Sequence, residues 1–350
     1  MRKIHFTTLF ISFISILVLG ISCTKSSSKK QLDPNDPRAK EVVVYTYDSF
    51  AGEWGPGAEL AKNFEAASGY KLTLINCGDA VQAFNRAVLE KDDVQADVII
   101  GIDNNLCAKA VSSGILAKYT PADADKVIDA DVRKALGDNG YLTPYDFNHF
   151  SMVYDTQSDV PAPTCIEDLT KDIYKKKIIL MDPRTSTPGI GFVAWTVAVL
   201  GDKYTDFWTA LKPNILTMAP GWSEGYGLFT DGEAPLVISY ATDTAYHVEY
   251  DKSNRFTALL FDEGHIRQVE GYGLLKNAPN EKAAKIFMDY LISDEAQKIL
   301  PLTQWMYPAN KNVVLPDCYK TSAPVPAKTL TVEESKVNDA VDKVMAILAQ

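Results

Sequence analysis

The chain is predicted to be an α/β protein of two lobes with a ligand cleft between them. Three observations point there. From Glu41 onward, short β-branched runs alternate with stretches whose apolar residues recur at helical spacing, the pattern of a parallel sheet covered by helices. The alternation restarts after Tyr145. Finally, 350 residues, 46% hydrophobic and 10% aromatic, suffice for two ordinary cores. Long α/β chains of this kind place their ligand outside the carboxyl ends of the strands.

In chain order, Val42-Val43-Val44-Tyr45 is the first strand; Leu60, Ala61, Phe64 and Ala67 mark a helix that stops at Gly69; and Leu72 to Ile75 is the second strand. Ala80 to Leu89 is a helix and Val98-Ile99-Ile100 a buried strand. The second series holds Met152-Val153-Tyr154, Ile178 to Met181, a helix after Pro188, and Leu236-Val237-Ile238. Near the C-terminus, Ala283, Ala284, Phe287, Met288 and Leu291 share one helical face within 280–292. Val337, Ala340, Val341, Val344 and Leu348 do so within 332–349. Thr331 and Glu334 form a T-x-x-E pattern, which predicts a capping box for that last helix.

The N-terminus has the build of an export signal: Arg2 and Lys3, an apolar run from Leu9 to Ile21, then small Ser22 and Cys23. The run is short for a membrane span. Cys23, followed by a polar Ser- and Lys-rich stretch, resembles a bacterial lipoprotein processing site, in which the cysteine is lipidated. Ordinary signal cleavage to a freely soluble product is the alternative. The residues up to 40 then form a flexible tether.

The formal net charge is −10, and because the first 40 residues hold seven Lys or Arg against two Asp, the domain beyond carries about −15. Such a surface excludes nucleic acid as the expected partner. Cys77, Cys107, Cys165 and Cys318 lack C-x-x-C spacing, and His149, His247 and His265 lack an H-E-x-x-H arrangement, so neither a dithiol motif nor a metal is expected.

Several stretches carry chemistry. Tyr47 and Trp54 follow the first strand, where aromatic rings either cap the core or offer a stacking surface to a cleft. Asp79, with Gln82 three residues on, has the form of an N-cap and half a capping box, and its carboxylate is also placed to meet a ligand. In Asp182-Pro183-Arg184-Thr185-Ser186-Thr187-Pro188-Gly189, hydroxyl residues open a helix whose free N–H groups suit an anion, although Ser186 or Thr187 equally serves as a plain cap. Arg184 is free to pair with Asp182 or with an external anion.

Gly221-Trp222-Ser223-Glu224-Gly225 matches the G-x-S-x-G nucleophile elbow of hydrolases, with Asp243 or Asp262 and His247 or His265 following in hydrolase order. Against it, Pro220 prevents a strand from running straight into the motif, and no glycine-rich H-G-G-G stretch supplies an oxyanion hole. Trp222, Tyr226, Tyr240, Tyr246 and Trp305 recur in glycine or strand-end contexts, as an aromatic cage for a planar, cationic ligand requires.

Taken in order, VYTYDSFAGEWGPG, IDNNL, DPRTSTPG, GWSEGYGLF, SYATDTAYH, EGH and WMYP closely resemble the thiamine-binding proteins of bacterial ABC importers, over residues 43–308. The resemblance implies a bilobal type II periplasmic-binding-protein fold, two α/β lobes joined by a hinge, closing on thiamine or its mono- or diphosphate without chemistry, catalytic residue or cofactor. It carries the ligand-binding role onto Tyr47, Trp54, Asp79, Ser186, Trp222, Tyr240, Tyr246 and Trp305. The aromatic rings would stack on the ligand, Asp79 would take a donor, and Ser186 would hold the hydroxyl or phosphate end. Thr244 and Ala80 depart from the family's pattern, which has proline and often glycine there.

The implied partners are an ABC permease and its ATPase, with the chain a monomer held at a membrane through Cys23, in the periplasm or at the cell surface. The expected segments are a lipoprotein signal 1–22, tether 23–40, first part of lobe I 41–145, lobe II 146–247, a return mainly to lobe I 248–312, and a C-terminal extension 313–350. Joins between lobes are expected near Tyr145 to Phe150 and around residues 247–265. The alternatives are a carrier of another small cation or anion, such as a polyamine or iron, and an exported serine hydrolase using Ser223.

Overall fold

The β-branched runs do form strands. The computed structural model describes Asp33 and residues 35–350. The export segment, the lipidation residue Cys23 and most of the tether lie outside the described residues. Among these, twelve strands follow in order: β1 Glu41–Thr46, β2 Lys71–Asn76, β3 Val98–Asp103, β4 Leu116–Ala117, β5 Thr143–Asp155, β6 Ile178–Met181, β7 Ile215–Ala219, β8 Leu236–Tyr240, β9 Phe256–Leu259, β10 His265–Leu275, β11 Tyr307–Pro308 and β12 Thr329–Leu330.

The principal ladder runs β2-β1-β3-β10-β5-β8-β6-β7. The expected parallel pairing holds at its two ends, where β1 lies between β2 and β3, and β6 between β7 and β8. The centre corrects that expectation, because β10 and β5 are antiparallel to their neighbours. β5 is long enough to serve both ends. Thr143 to His149 pair with β10, and Phe150 to Tyr154 pair with β8.

Two apolar cores flank this seam. One gathers Val42, Val44, Leu60, Phe64, Ile99, Phe287 and Leu291; the other gathers Val153, Ile179, Phe192, Trp195, Trp208, Phe229 and Ile238. The helix Gly57–Ser68 ends at Gly69, whose φ of +74° is the left-handed conformation that glycine adopts without strain. The helix Glu281–Leu291 is capped by Asn280, whose side chain accepts from Ala283 N.

The C-terminal helix Glu334–Ala349 touches both cores, with Val337 in the first and Ala340 and Val344 in the second. Its expected capping box is not formed. Glu333 is the N-cap residue, and the Glu334 carboxylate instead accepts the backbone N–H groups of Ala108 (2.7 Å) and Lys109 (3.0 Å), at the start of the Cys107–Ser112 helix. The local motif lost to a tertiary partner, since two free N–H donors attract a carboxylate more strongly than one.

The tether also ends earlier than the sequence suggests. Pro37–Lys40 form a 3-10 turn seated on the first core, with Arg38 bonded to Asp97 at 2.6 Å and the Asn280 amide donating to the carbonyls of Arg38, Ala39 and Glu41. Among the described residues no helix is long and apolar enough to cross a membrane. Cys77, Cys107, Cys165 and Cys318 are all unpaired.

Candidate functional site

A cavity of about 880 Å³ opens where strand ends of the two halves face each other. Tyr47 stands just beyond β1, Asp79 three residues beyond β2, Trp222 three beyond β7, and Tyr240 closes β8. Trp54, Tyr246 and Trp305 complete the set of predicted residues on its wall. Ser186 is the exception. It is fully buried and stands behind the wall rather than on it.

Asp79 is the most connected of these groups. The capping box is real: Ala80 N donates to Oδ1 at 2.7 Å and Asp79 N donates to Gln82 Oε1 at 2.8 Å. The same carboxylate also crosses the cleft. Oδ1 accepts Thr187 N at 3.2 Å and Oδ2 accepts Trp222 N at 3.1 Å, so one carboxylate meets the first N–H groups of three helices. Burial pushes its pKa up to about 6, against the pull of these donors. The helix Thr187–Leu200 is therefore capped from the opposite half, with the buried Ser186 hydroxyl beside the same carboxylate and helping to hold its pKa down. Arg184 is spent on Asp182, with Nη2 at 2.5 Å.

The rings are fixed by stacking and by hydrogen bonds. Trp222 lies on Tyr226 (centroids 4.7 Å, 18° between planes) and donates its indole N–H to Ser239 at 2.8 Å. Behind it the Tyr226 hydroxyl meets His247 at 2.7 Å, and the other His247 ring nitrogen meets Asp251 at 2.6 Å. Tyr240 stacks on Phe150 (5.3 Å, 27°). Trp305 stands edge-on to Tyr246 (5.3 Å, 86°) and nearly parallel to Tyr319 (12°). Its φ of +60° is costly for a tryptophan, and the bonds from Thr242 and Asn148 to its carbonyl oppose relaxation. Trp54, by contrast, is 86% exposed at the mouth.

Tyr47 is buried, and its hydroxyl joins that of Tyr145, the Glu270 carboxylate (2.6 Å) and the Gln304 amide (2.7 Å). Gly101, at φ +108°, admits the Tyr47 ring, since a Cβ there would lie 2.6 Å from it. Sequence reasoning missed Glu270, Gln304 and Asp48 on this wall, and named Asp243 only as a candidate triad acid. Glu270 alone left a signal, an acid between Val269 and Gly271-Tyr272 in a run that continues to Leu274-Leu275.

The elbow does not assemble. Trp222 opens the helix Trp222–Thr230 after Pro220 and Gly221, and the Ser223 hydroxyl lies beside Asp48, whose pKa it lowers against burial. His247 is held by Tyr226 and Asp251; His265 is held by the Phe150 carbonyl and Phe261 N, so neither histidine serves Ser223. Ligand atoms of Cys165, Glu167 and Glu263 lie within 4.8 Å of one another, outside the cavity wall.

Among the described residues the wall carries Asp48, Glu53, Asp79, Asp243, Asp251 and Glu270 but no lysine or arginine. Aromatic faces and carboxylates without a cation make a receptor for a planar, positively charged molecule. Together with two α/β halves closing over the cavity, they define the class: a solute-binding protein of bilobal type II periplasmic-binding fold.

The bacterial extracellular solute-binding protein family matches residues 93–328, and the chain belongs to that family. It is similar to the thiamine-binding periplasmic protein of Brucella melitensis biotype 1, with 37% identity over 307 residues, 87% of this chain and 90% of that protein. The protein of that name from Escherichia coli strain K12 is 37% identical over 302 residues, 85% of this chain and 90% of its own. A solved periplasmic thiamin binding protein superposes with a TM-score of 0.82 at 35% identity, covering 89% of this chain and 96% of that one. The chain is thus extracytoplasmic in class.

Proposed function

We propose that this protein captures thiamine, or its mono- or diphosphate, and hands it to an ABC permease driven by its ATPase, without catalysing a reaction. The observation that carries the reading is the cavity wall of stacked aromatic rings and carboxylates free of lysine and arginine. A thiazolium ring gains roughly 0.5 to 2 kcal/mol from each well-placed aromatic face. The relatives named for thiamine, alike over most of their length, support the same ligand.

In this reading Trp222, Tyr240, Tyr246 and Trp305 enclose the heterocycles, Tyr47 and Asp79 meet polar groups, and Trp54 closes the mouth. Ser186 acts through Asp79 rather than on the ligand. The lobes bend about the seam where β5 passes from one ladder to the other, and the protein works as a monomer anchored through Cys23.

The test is calorimetric titration of protein unfolded and refolded to strip bound ligand, using thiamine and both phosphates. One-to-one binding abolished in Trp222→Ala supports the reading. Absence of heat from all three, in folded protein, removes the ligand and leaves another small cation as the next candidate. Labelling of Ser223 by a fluorophosphonate would reopen the hydrolase.

A further inference from the structure

Asp146 on β5 and Glu270 on β10 are direct partners in the antiparallel ladder, so both side chains leave the sheet on one face. Both are buried, 0% and 4% exposed. Glu270 reaches the cavity wall, and its Oε2 accepts the hydroxyls of Tyr47 and Tyr145. Neither oxygen of Asp146 has a hydrogen-bond partner among the described residues. Two like charges opposed in so dry a place repel strongly, and ionising both at once is prohibitive.

The surroundings add negative charge rather than relieve it. Asp103 at the end of β3 and Asp79 before its helix raise Glu270 further; Tyr240 on β8 and Tyr319 near the C-terminus face the same acids; and Gln304 reaches only the Tyr47 hydroxyl. Burial pushes both carboxyls above the usual range, reinforced at Asp146 by the charge of Glu270 and at Glu270 by those of Asp103 and Asp79.

We propose that the Asp146–Glu270 pair carries a proton in the ligand-free protein, that a permanently cationic ligand displaces it to solvent, and that the pair thereby selects a cation over a neutral ligand of the same shape. The carboxyl O–H bond breaks, the proton passes to buffer, and the ligand's charge replaces it beside the carboxylate. This inference rests on the cationic-ligand reading above.

Calorimetry of the full chain in buffers of different ionisation enthalpy reads the protons released. Thiamine is expected to release up to roughly one proton near neutral pH, with affinity rising as pH rises, by at most about tenfold per pH unit. Its neutral 3-deaza analogue carries the same aminopyrimidine, so the difference between the two ligands isolates the thiazolium charge. Glu270→Gln should abolish the release and reduce the preference for thiamine over the analogue by about tenfold or more. Asp146→Asn, which leaves Glu270 in place, should also reduce the release.

Equal proton release by both ligands overturns the proposal, and so does a folded Glu270→Gln protein that keeps its preference. The wild-type comparison decides alone if the variants do not fold. Failure of thiamine to bind at all refutes the functional reading and this inference with it, whereas binding without differential release refutes only the inference.

Discussion

Trp222 and Ser223 are neighbours with opposite expected importance. The indole stacks on Tyr226 and faces the cavity, while Ser223, beside Asp48 on the same wall, has neither His247 nor His265 to activate it. Trp222→Ala should weaken thiamine binding by about 10- to 100-fold, corresponding to roughly 1.5–3 kcal/mol, whereas Ser223→Ala should leave it within about threefold. Titration of both variants checks this, and equal losses would contradict the assignment. Buried acids also set a pH dependence. Burial raises Asp103 and Asp243 to about 7, so the stability they lend is complete below the unfolded carboxyl value and is lost as pH rises to about 7. Burial lowers His149 to about 4 and also lowers His247 and His265, so these cost stability as pH falls below the unfolded histidine value of about 6.5. From pH 7.5 to 6.5 the carboxyls dominate. Ligand-free protein should therefore melt at a higher temperature at pH 6.5 than at 7.5, and scanning calorimetry showing the reverse would refute the buried-acid account.

The helix Thr187–Leu200 shows how an element serves the site. It is apolar on all sides of its first three turns and fully buried there, which is why its sequence has no polar face to orient it. Gly191 lets it pass against Phe150, because a Cβ would lie 2.1 Å from that ring, and Phe150 carries Tyr240. Gly191→Ala should cost about 1–3 kcal/mol in denaturant unfolding and weaken ligand binding as Tyr240 is displaced. Glu334→Gln removes the charge that caps the Cys107–Ser112 helix and should cost about 1 kcal/mol with little effect on affinity. Unchanged denaturant midpoints would show that the two carboxylate bonds contribute nothing.

At the scale of the whole molecule, β5 and β10 pair across the centre of the sheet, while Asp79 bridges the halves through Thr187 and Trp222. These two bonds tie the halves together across the cleft. Asp79→Asn turns one acceptor into a donor opposite an N–H, so it should favour the open form and weaken thiamine binding by at least about tenfold. Small-angle scattering should show the wild-type protein contracting when thiamine is added and the variant contracting less. A variant with wild-type contraction and affinity would reduce Asp79 to an ordinary cap of its own helix.

The sequence by itself determined the alternation of strands and helices, the strand-end positions of Tyr47, Asp79, Trp222 and Tyr240, and the aromatic character of the site, because periodicity and turn residues are local properties of the chain. Tertiary structure alone decided the antiparallel centre, the burial of Ser186 behind Asp79, the transfer of Glu334 to another helix and the opposition of Asp146 to Glu270. Each of these joins residues more than 80 positions apart. Their free energy comes from burial and from meeting otherwise unsatisfied donors, which no stretch of sequence contains until the chain is folded.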